Sequence, residues 1–179
     1  DWLASPFITT MAVMAGLSTL ALIIWEPMQD DPIMDLRLFK YRNFAISSGM
    51  MFMLGFVLFG STLLIPQFVQ SALGYTSTLA GLVISPGGFA IVLMMPVVGF
   101  LSNKVEARWL IAFGLVVVAA SMFHLASFNL DVSFNELVVA RIFQTVGLAF
   151  LFIPITNVAY IGVPADKTDQ VSSLINLAR

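Results

Sequence analysis

The stretch "MMPVVGFLSNKVEARWLIAFG", Met94 to Gly114, places Lys104, Glu106 and Arg108 in a short turn between two uninterrupted apolar runs. A helix at a protein–water boundary carries an apolar stripe backed by a polar face. Neither run has a polar face. Both read as helices whose solvent is hydrocarbon, with the charges confined to the turn where the chain leaves the bilayer and re-enters it.

The rest of the chain follows the same rule. Of its 179 residues 59% are hydrophobic and 10% charged, with a mean hydropathy of +0.97, whereas a soluble domain carries about 25% charged residues. No charge occurs between Arg42 and Lys104, from Trp109 to Leu130, or from Ile142 to Ala165. A hydrocarbon core of ~30 Å takes about 20 helical residues, so the first gap holds two spans and a turn, and the others hold one each. The expected spans run roughly from Phe7 to Trp25, Phe44 to Gln70, Leu79 to Leu101, Trp109 to Phe128 and Leu137 to Ile161. The pattern predicts an all-α polytopic membrane protein with about five complete transmembrane helices and the start of a sixth. Between the first two spans, "EPMQDDPIMDLRLFKYRNF" mixes charged and apolar residues and suits an amphipathic segment on the membrane surface.

Lys and Arg accumulate in cytoplasmic loops. Arg37, Lys40 and Arg42 lie in the first linker, Lys104 and Arg108 in the charged turn, and Lys167 and Arg179 after the fifth span, whereas the loops around Tyr75 and Asp131 carry neither. Every second loop is basic, which predicts that the charged turn is cytoplasmic. The net charge of −2 speaks against a basic nucleic-acid surface. The absence of cysteine excludes disulfides, thiolate metal sites and cysteine nucleophiles. Asp1 and Trp2 open the chain without a basic n-region, and "VSSLINLAR" opens a helix that stops at Arg179; the expectation is a piece of something longer.

Pro66, Pro86, Pro96 and Pro154 fall inside the expected spans. Proline removes an intrahelical hydrogen bond and kinks the helix, which lipid tolerates where neighbours or water satisfy the freed carbonyl. The kinks either bend helices around a path or are ordinary features of packed spans. Arg141 and Gln144 are three apart on one helix face. An Arg at the bilayer centre costs ~2.5–3.5 kcal/mol on insertion scales, so two readings stay open. Arg141 and Gln144 line the outer half of a pathway, or Arg141 snorkels to the outer interface toward Asp131 or Glu136. Gln67, Gln70 and Asn157 are amides in or beside spans, candidates for interhelical hydrogen bonds and for cavity contacts. Met53 and Phe56, in a cluster with Met50, Met51 and Phe52, offer a soft surface for varied apolar ligands or simply fill helix contacts. His124, the one histidine, either titrates in a proton pathway or reaches the interface.

These residues resemble a family. "GFLSNKVEARWL", with Gly99, Leu101, Asn103, Lys104, Glu106 and Arg108, resembles the loop motif of major facilitator superfamily transporters, Gly-x-Leu-x-Asp-Arg/Lys-x-x-x-Arg, with Asn103 standing where the motif prefers Asp. The ordered set "DPIMDLRLFKYRNFAI", "LLIPQFVQSALGYTSTLAGLVISPGG", "RIFQTVG" and "SSLINLAR" is similar to the EmrB/QacA branch of fourteen-helix drug:proton antiporters. The resemblance implies that residues 1–27 are the last central transmembrane helix, 28–43 a cytoplasmic amphipathic linker, and 44–179 part of the C-terminal transporter bundle. It further implies multidrug efflux across a bacterial cytoplasmic membrane, driven by a proton gradient with no bound cofactor. Drug-like molecules, protons and the bilayer are then the partners, with room for a periplasmic adaptor and an outer-membrane exit duct. Within such a transporter the charged turn either latches one conformation through Arg108 or anchors topology.

No phosphate-binding Gly-x-x-x-x-Gly-Lys loop, Gly-x-Ser-x-Gly elbow or His-Glu-x-x-His metal site occurs, so neither an enzyme nor a metal site is expected. No carboxylate lies deep in any span, since Glu26 and Glu136 stand at span edges; the resemblance places coupling acids mainly in the other half of the transporter. The alternative to export is a membrane-embedded binding or scaffold protein of the same fold.

Overall fold

The computed structural model describes residues 6–25 and 35–179. Among them there is no strand. Six α-helices follow one another: α1 (Pro6–Trp25), α2 (Arg42–Ser71), α3 (Ser77–Ser102), α4 (Ala107–Ala126), α5 (Phe134–Ala159) and α6 (Thr168–Ala178). Helices α2 to α5 are each long and apolar enough to cross a membrane. The first expected span falls on α1, apolar over twenty residues, or ~30 Å at 1.5 Å per residue; over Pro6–Leu22 alone it is shorter than the other four. Its described side chains stand exposed except for the half-buried Ile8.

The loops are short, so consecutive helices run antiparallel. One end of the bundle, called lower here, collects the Asp35–Tyr41 segment, the charged turn and the α5–α6 loop; the upper end collects the two loops without Lys or Arg. Local chemistry fixes where helices start. The Thr76 hydroxyl accepts from Leu79 N–H at 3.3 Å ahead of α3. Ser133 and Glu136 close a reciprocal capping box at the start of α5, with Oε2 of Glu136 2.9 Å from Ser133 N. Gly74 (φ 69°) turns the chain between α2 and α3, in a backbone region that other residues avoid. Pro66, Pro86, Pro96 and Pro154 all lie inside continuous helices.

Helix α5 is the axis. In its most apolar stretch 61% of residues are buried, against 17–28% in α2 to α4. Small residues make this close packing possible, as they do where lipid supplies no hydrophobic force between helices. A Cβ on Gly147 would come within 2.8 Å of Val118 Cγ2 and 3.0 Å of Val118 N, and one on Gly114 within 2.8 Å of Leu151 Cδ2. Two apolar cores result. The lower core joins Phe44, Met51 and Leu54 of α2, Leu148, Leu151 and Ile155 of α5, and Val171, Leu174 and Ile175 of α6. The upper core joins Val69, Ala80, Val83, Val132 and Leu137.

The expected surface linker proves to be partly docked. Residues 26–34 lie outside the described residues, but Leu36–Lys40 forms a short 3-10 helix capped by Asp35, whose Oδ1 accepts from Arg37 N–H at 2.9 Å. Leu38 is fully buried in the lower core, while Leu36 and Phe39 face outward. Asp35 is buried too, and it pairs with Lys167 of the α5–α6 loop. Burial pushes the Asp35 carboxyl up, but the Lys167 ammonium and the Arg37 N–H outweigh it and hold it below the usual aspartate value. The same hydrogen bond to Asp35 raises Lys167. The linker is thus amphipathic as expected, with one apolar side chain turned into the protein and two left for the membrane surface.

Candidate functional site

Between the two cores lies a polar layer, built by three helices at matching depth. α5 supplies Arg141, Gln144 and Thr145, all buried; α2 supplies Ser61 and Thr62; α3 supplies Gly87. Arg141 extends from α5 toward α2. Its Nη1 donates to Ser61 Oγ at 2.7 Å and to Gln144 Oε1 at 2.6 Å, and its Nη2 donates to Thr62 Oγ1 at 2.7 Å. Gln144 Nε2 lies 3.9 Å from Met122 Sδ of α4. The stem of Arg141 passes over Gly87, where a Cβ would come 3.0 Å from Arg141 Cγ and 3.1 Å from Thr145 Cγ2. The glycine is the space through which the arginine reaches α2.

This geometry excludes the snorkelling reading of Arg141. It does not snorkel to Glu136, because Glu136 already closes the capping box with Ser133. The guanidinium instead turns inward, and only 3% of the residue is exposed. No carboxylate pairs with it among the described residues. A guanidinium carries five N–H donors and no acceptor; here neutral oxygens take three, and Nε–H finds no partner. Chemically, the layer holds a desolvated fixed cation with spare donors. It can attract and orient an anion, but it has no nucleophile–base pair.

The other amides do not join this layer. Gln67 and Asn157 are exposed. Gln70 is exposed and donates to Pro66 O of its own helix at 3.2 Å. Met53 and Phe56 stand 64% and 73% exposed. Met53 lines, with Met50, Leu54, Leu115, Leu151 and Ile155, an apolar groove of about 520 Å³ between α2, α4 and α5. His124 is exposed near the upper end, stacked edge-on against Phe128 at 4.9 Å. In the charged turn Arg108 pairs with Glu106 at the surface, Lys104 Nζ sits 4.4 Å from the Phe100 ring centre, and Asn103 closes the end of α3. All of these contacts lie within the turn and its flanking helix ends. Among the described residues no cluster of His, Asp or Glu is placed to hold a metal.

Residues 3–179 match the family model described as Major Facilitator Superfamily. The chain belongs to the major facilitator superfamily. It is 33% identical over 180 aligned residues to the multidrug export protein EmrB of Escherichia coli K12 and, equally, to EmrB of Haemophilus influenzae, and 33% identical to the fatty acid resistance protein FarB of Neisseria gonorrhoeae. In each case the whole of this chain aligns, and it spans 35% of the relative's length. With its membrane-crossing helices, the facilitator chain is a multi-pass protein of the cytoplasmic membrane.

Proposed function

We propose that this chain is the carboxy-proximal part of a multidrug exporter that moves amphipathic or apolar toxic compounds across the cytoplasmic membrane, driven by the proton gradient. The observation that carries the reading is the polar layer: Arg141, Gln144, Ser61 and Thr62 gathered between two apolar cores, at a depth where a lipid-facing charge is disfavoured. Facilitators bind substrate near the midplane and rock one helix bundle against another around it. The relatives named for multidrug export and fatty acid resistance support cargo with an apolar body. The exposed methionines and phenylalanines of α2 supply an adaptable apolar surface beside the layer. No cofactor is required in this reading. A periplasmic adaptor and an outer-membrane duct would carry the cargo onward.

The test is reconstitution. Proteoliposomes of the full-length protein should show drug-dependent proton movement under an imposed gradient, and the 179-residue chain alone should insert but show none. The chain carries one bundle in part and no carboxylate deep in a span. Inhibitor-sensitive antiport by the 179-residue chain, or silent full-length protein, would overturn the reading.

A further inference from the structure

A charge in a protein interior is almost always paired. Arg141 is not paired among the described residues, and it lies between two apolar cores where the dielectric is low and an unmatched cation is strongly felt. Three of its donors are held by a hydroxyl, an amide and a second hydroxyl, which fix the plane of the guanidinium; Nε–H and one hydrogen of Nη2 are left over. A carboxylate or sulfonate is the natural complement, since its oxygens accept charge-assisted bonds from a guanidinium, often two at once. The site lies one side chain from the helix surface. Thr62, which holds Nη2, is itself exposed, and Gly88, next to the tightly packed Gly87, has open space around it. Within one turn of these positions stand the exposed apolar side chains Phe59, Leu63 and Phe89.

We infer that Arg141, with Ser61, Thr62 and Gln144, forms an intramembrane site for the anionic head group of a single-chain amphiphile, a carboxylate or sulfonate on an alkyl tail that enters past Thr62. The assignment deepens the exporter reading, and rests on it for the statement that the ligand is cargo. Ser61, Thr62 and Gln144 position the guanidinium; Arg141 meets the head group; Phe59, Leu63 and Phe89 take the tail.

Binding to the 179-residue chain in phosphatidylcholine nanodiscs tests this, with octanoate, octanesulfonate and 1-octanol as probes and empty nanodiscs subtracted. Both anions should bind about tenfold tighter than octanol, the scale of one charge-assisted hydrogen bond. Arg141→Gln should abolish that preference, and Arg141→Lys should keep part of it. Thr62→Asp, at an exposed position, covers the case in which Arg141→Gln does not fold. It supplies a carboxylate from the chain itself, so the preference should vanish while thermal stability rises. Equal binding of octanol and octanoate, or a preference that survives Thr62→Asp, overturns the site. A preference abolished by adding phosphatidylglycerol to the nanodisc overturns the single-chain source, because the head group is then a membrane lipid's. The readout is equilibrium binding, so absent export by the full-length protein leaves a positive result standing, and absent anion preference leaves export standing.

Discussion

Gly147 and Gly114 face each other's helices at distances that a methyl group would violate, whereas a Cβ added to Gly60 or Gly81, on the same kind of apolar helix, would meet nothing within 4 Å. The four glycines therefore separate packing from propensity. Gly147→Ala should destabilise the bundle by roughly 1–3 kcal/mol through overpacking against α4, and Gly60→Ala should be neutral or stabilising by up to about 1 kcal/mol, because alanine is the better helix former. Unfolding in mixed micelles by denaturing detergent measures both; a destabilising Gly60→Ala with a neutral Gly147→Ala would mean that α4 and α5 do not pack as described. At this scale Arg141 and Gln144 were legible in the sequence, since a guanidinium in an apolar run has few places to go. Ser61 and Thr62 were not. Hydroxyls in membrane helices usually bond a carbonyl of their own helix, and both do so here, to Leu58 O at 3.1 and 2.7 Å. Only the tertiary fold shows that the same two oxygens also receive a cation from α5.

The 3-10 helix Leu36–Lys40 and the α5–α6 loop are joined by Asp35 and Lys167 across 132 positions of sequence. The sequence shows the charges but not the pairing, because an alternating charged segment looks the same docked or spread on a membrane. Its burial follows from Leu38, one apolar side chain among several, which the lower core accepts. The shifts give the tie a pH window. Asp35 is depressed, so its contribution is complete above the ordinary aspartate value of about 3.9 and is lost as pH falls through the lower folded value. Lys167 is raised, so its contribution is complete below about 10.4 and is lost as pH rises through the higher folded value. Amide protection across residues 36–41, corrected for intrinsic exchange, should be flat between those limits. Asp35→Asn should reduce it at neutral pH and remove the acid limb; unchanged protection in Asp35→Asn would show that Leu38 alone seats the segment.

For the molecule as a whole, the class followed from composition, four of the five expected spans fall on helices long and apolar enough to cross a membrane, and each span end falls within a few residues of the helix found. The packing order did not follow. Along α2 to α5 no apolar stripe opposes a polar face, so none marks which side of a helix meets protein. Orientation rests on the basic loops, which the fold gathers at one end. Because the chain has no cysteine, single cysteines at Ser77 and Ser102 report on it directly. An impermeant thiol reagent should label Ser77→Cys in intact cells and spare Ser102→Cys, and the reverse pattern would invert the topology. The central place of α5 also imposes a sequence in time. Synthesis delivers α2, α3 and α4 before α5, so the hydroxyls of Ser61 and Thr62 are in the bilayer before the guanidinium that needs them. Arg141 arrives on the second arm of the α4–α5 hairpin, with the Gly114–Gly147 face already beside its partner helix. Until Ala159 has left the ribosome, α2, α3 and α4 lack their common centre, and the nascent bundle depends on whatever chaperones those bare inner faces at the insertion site.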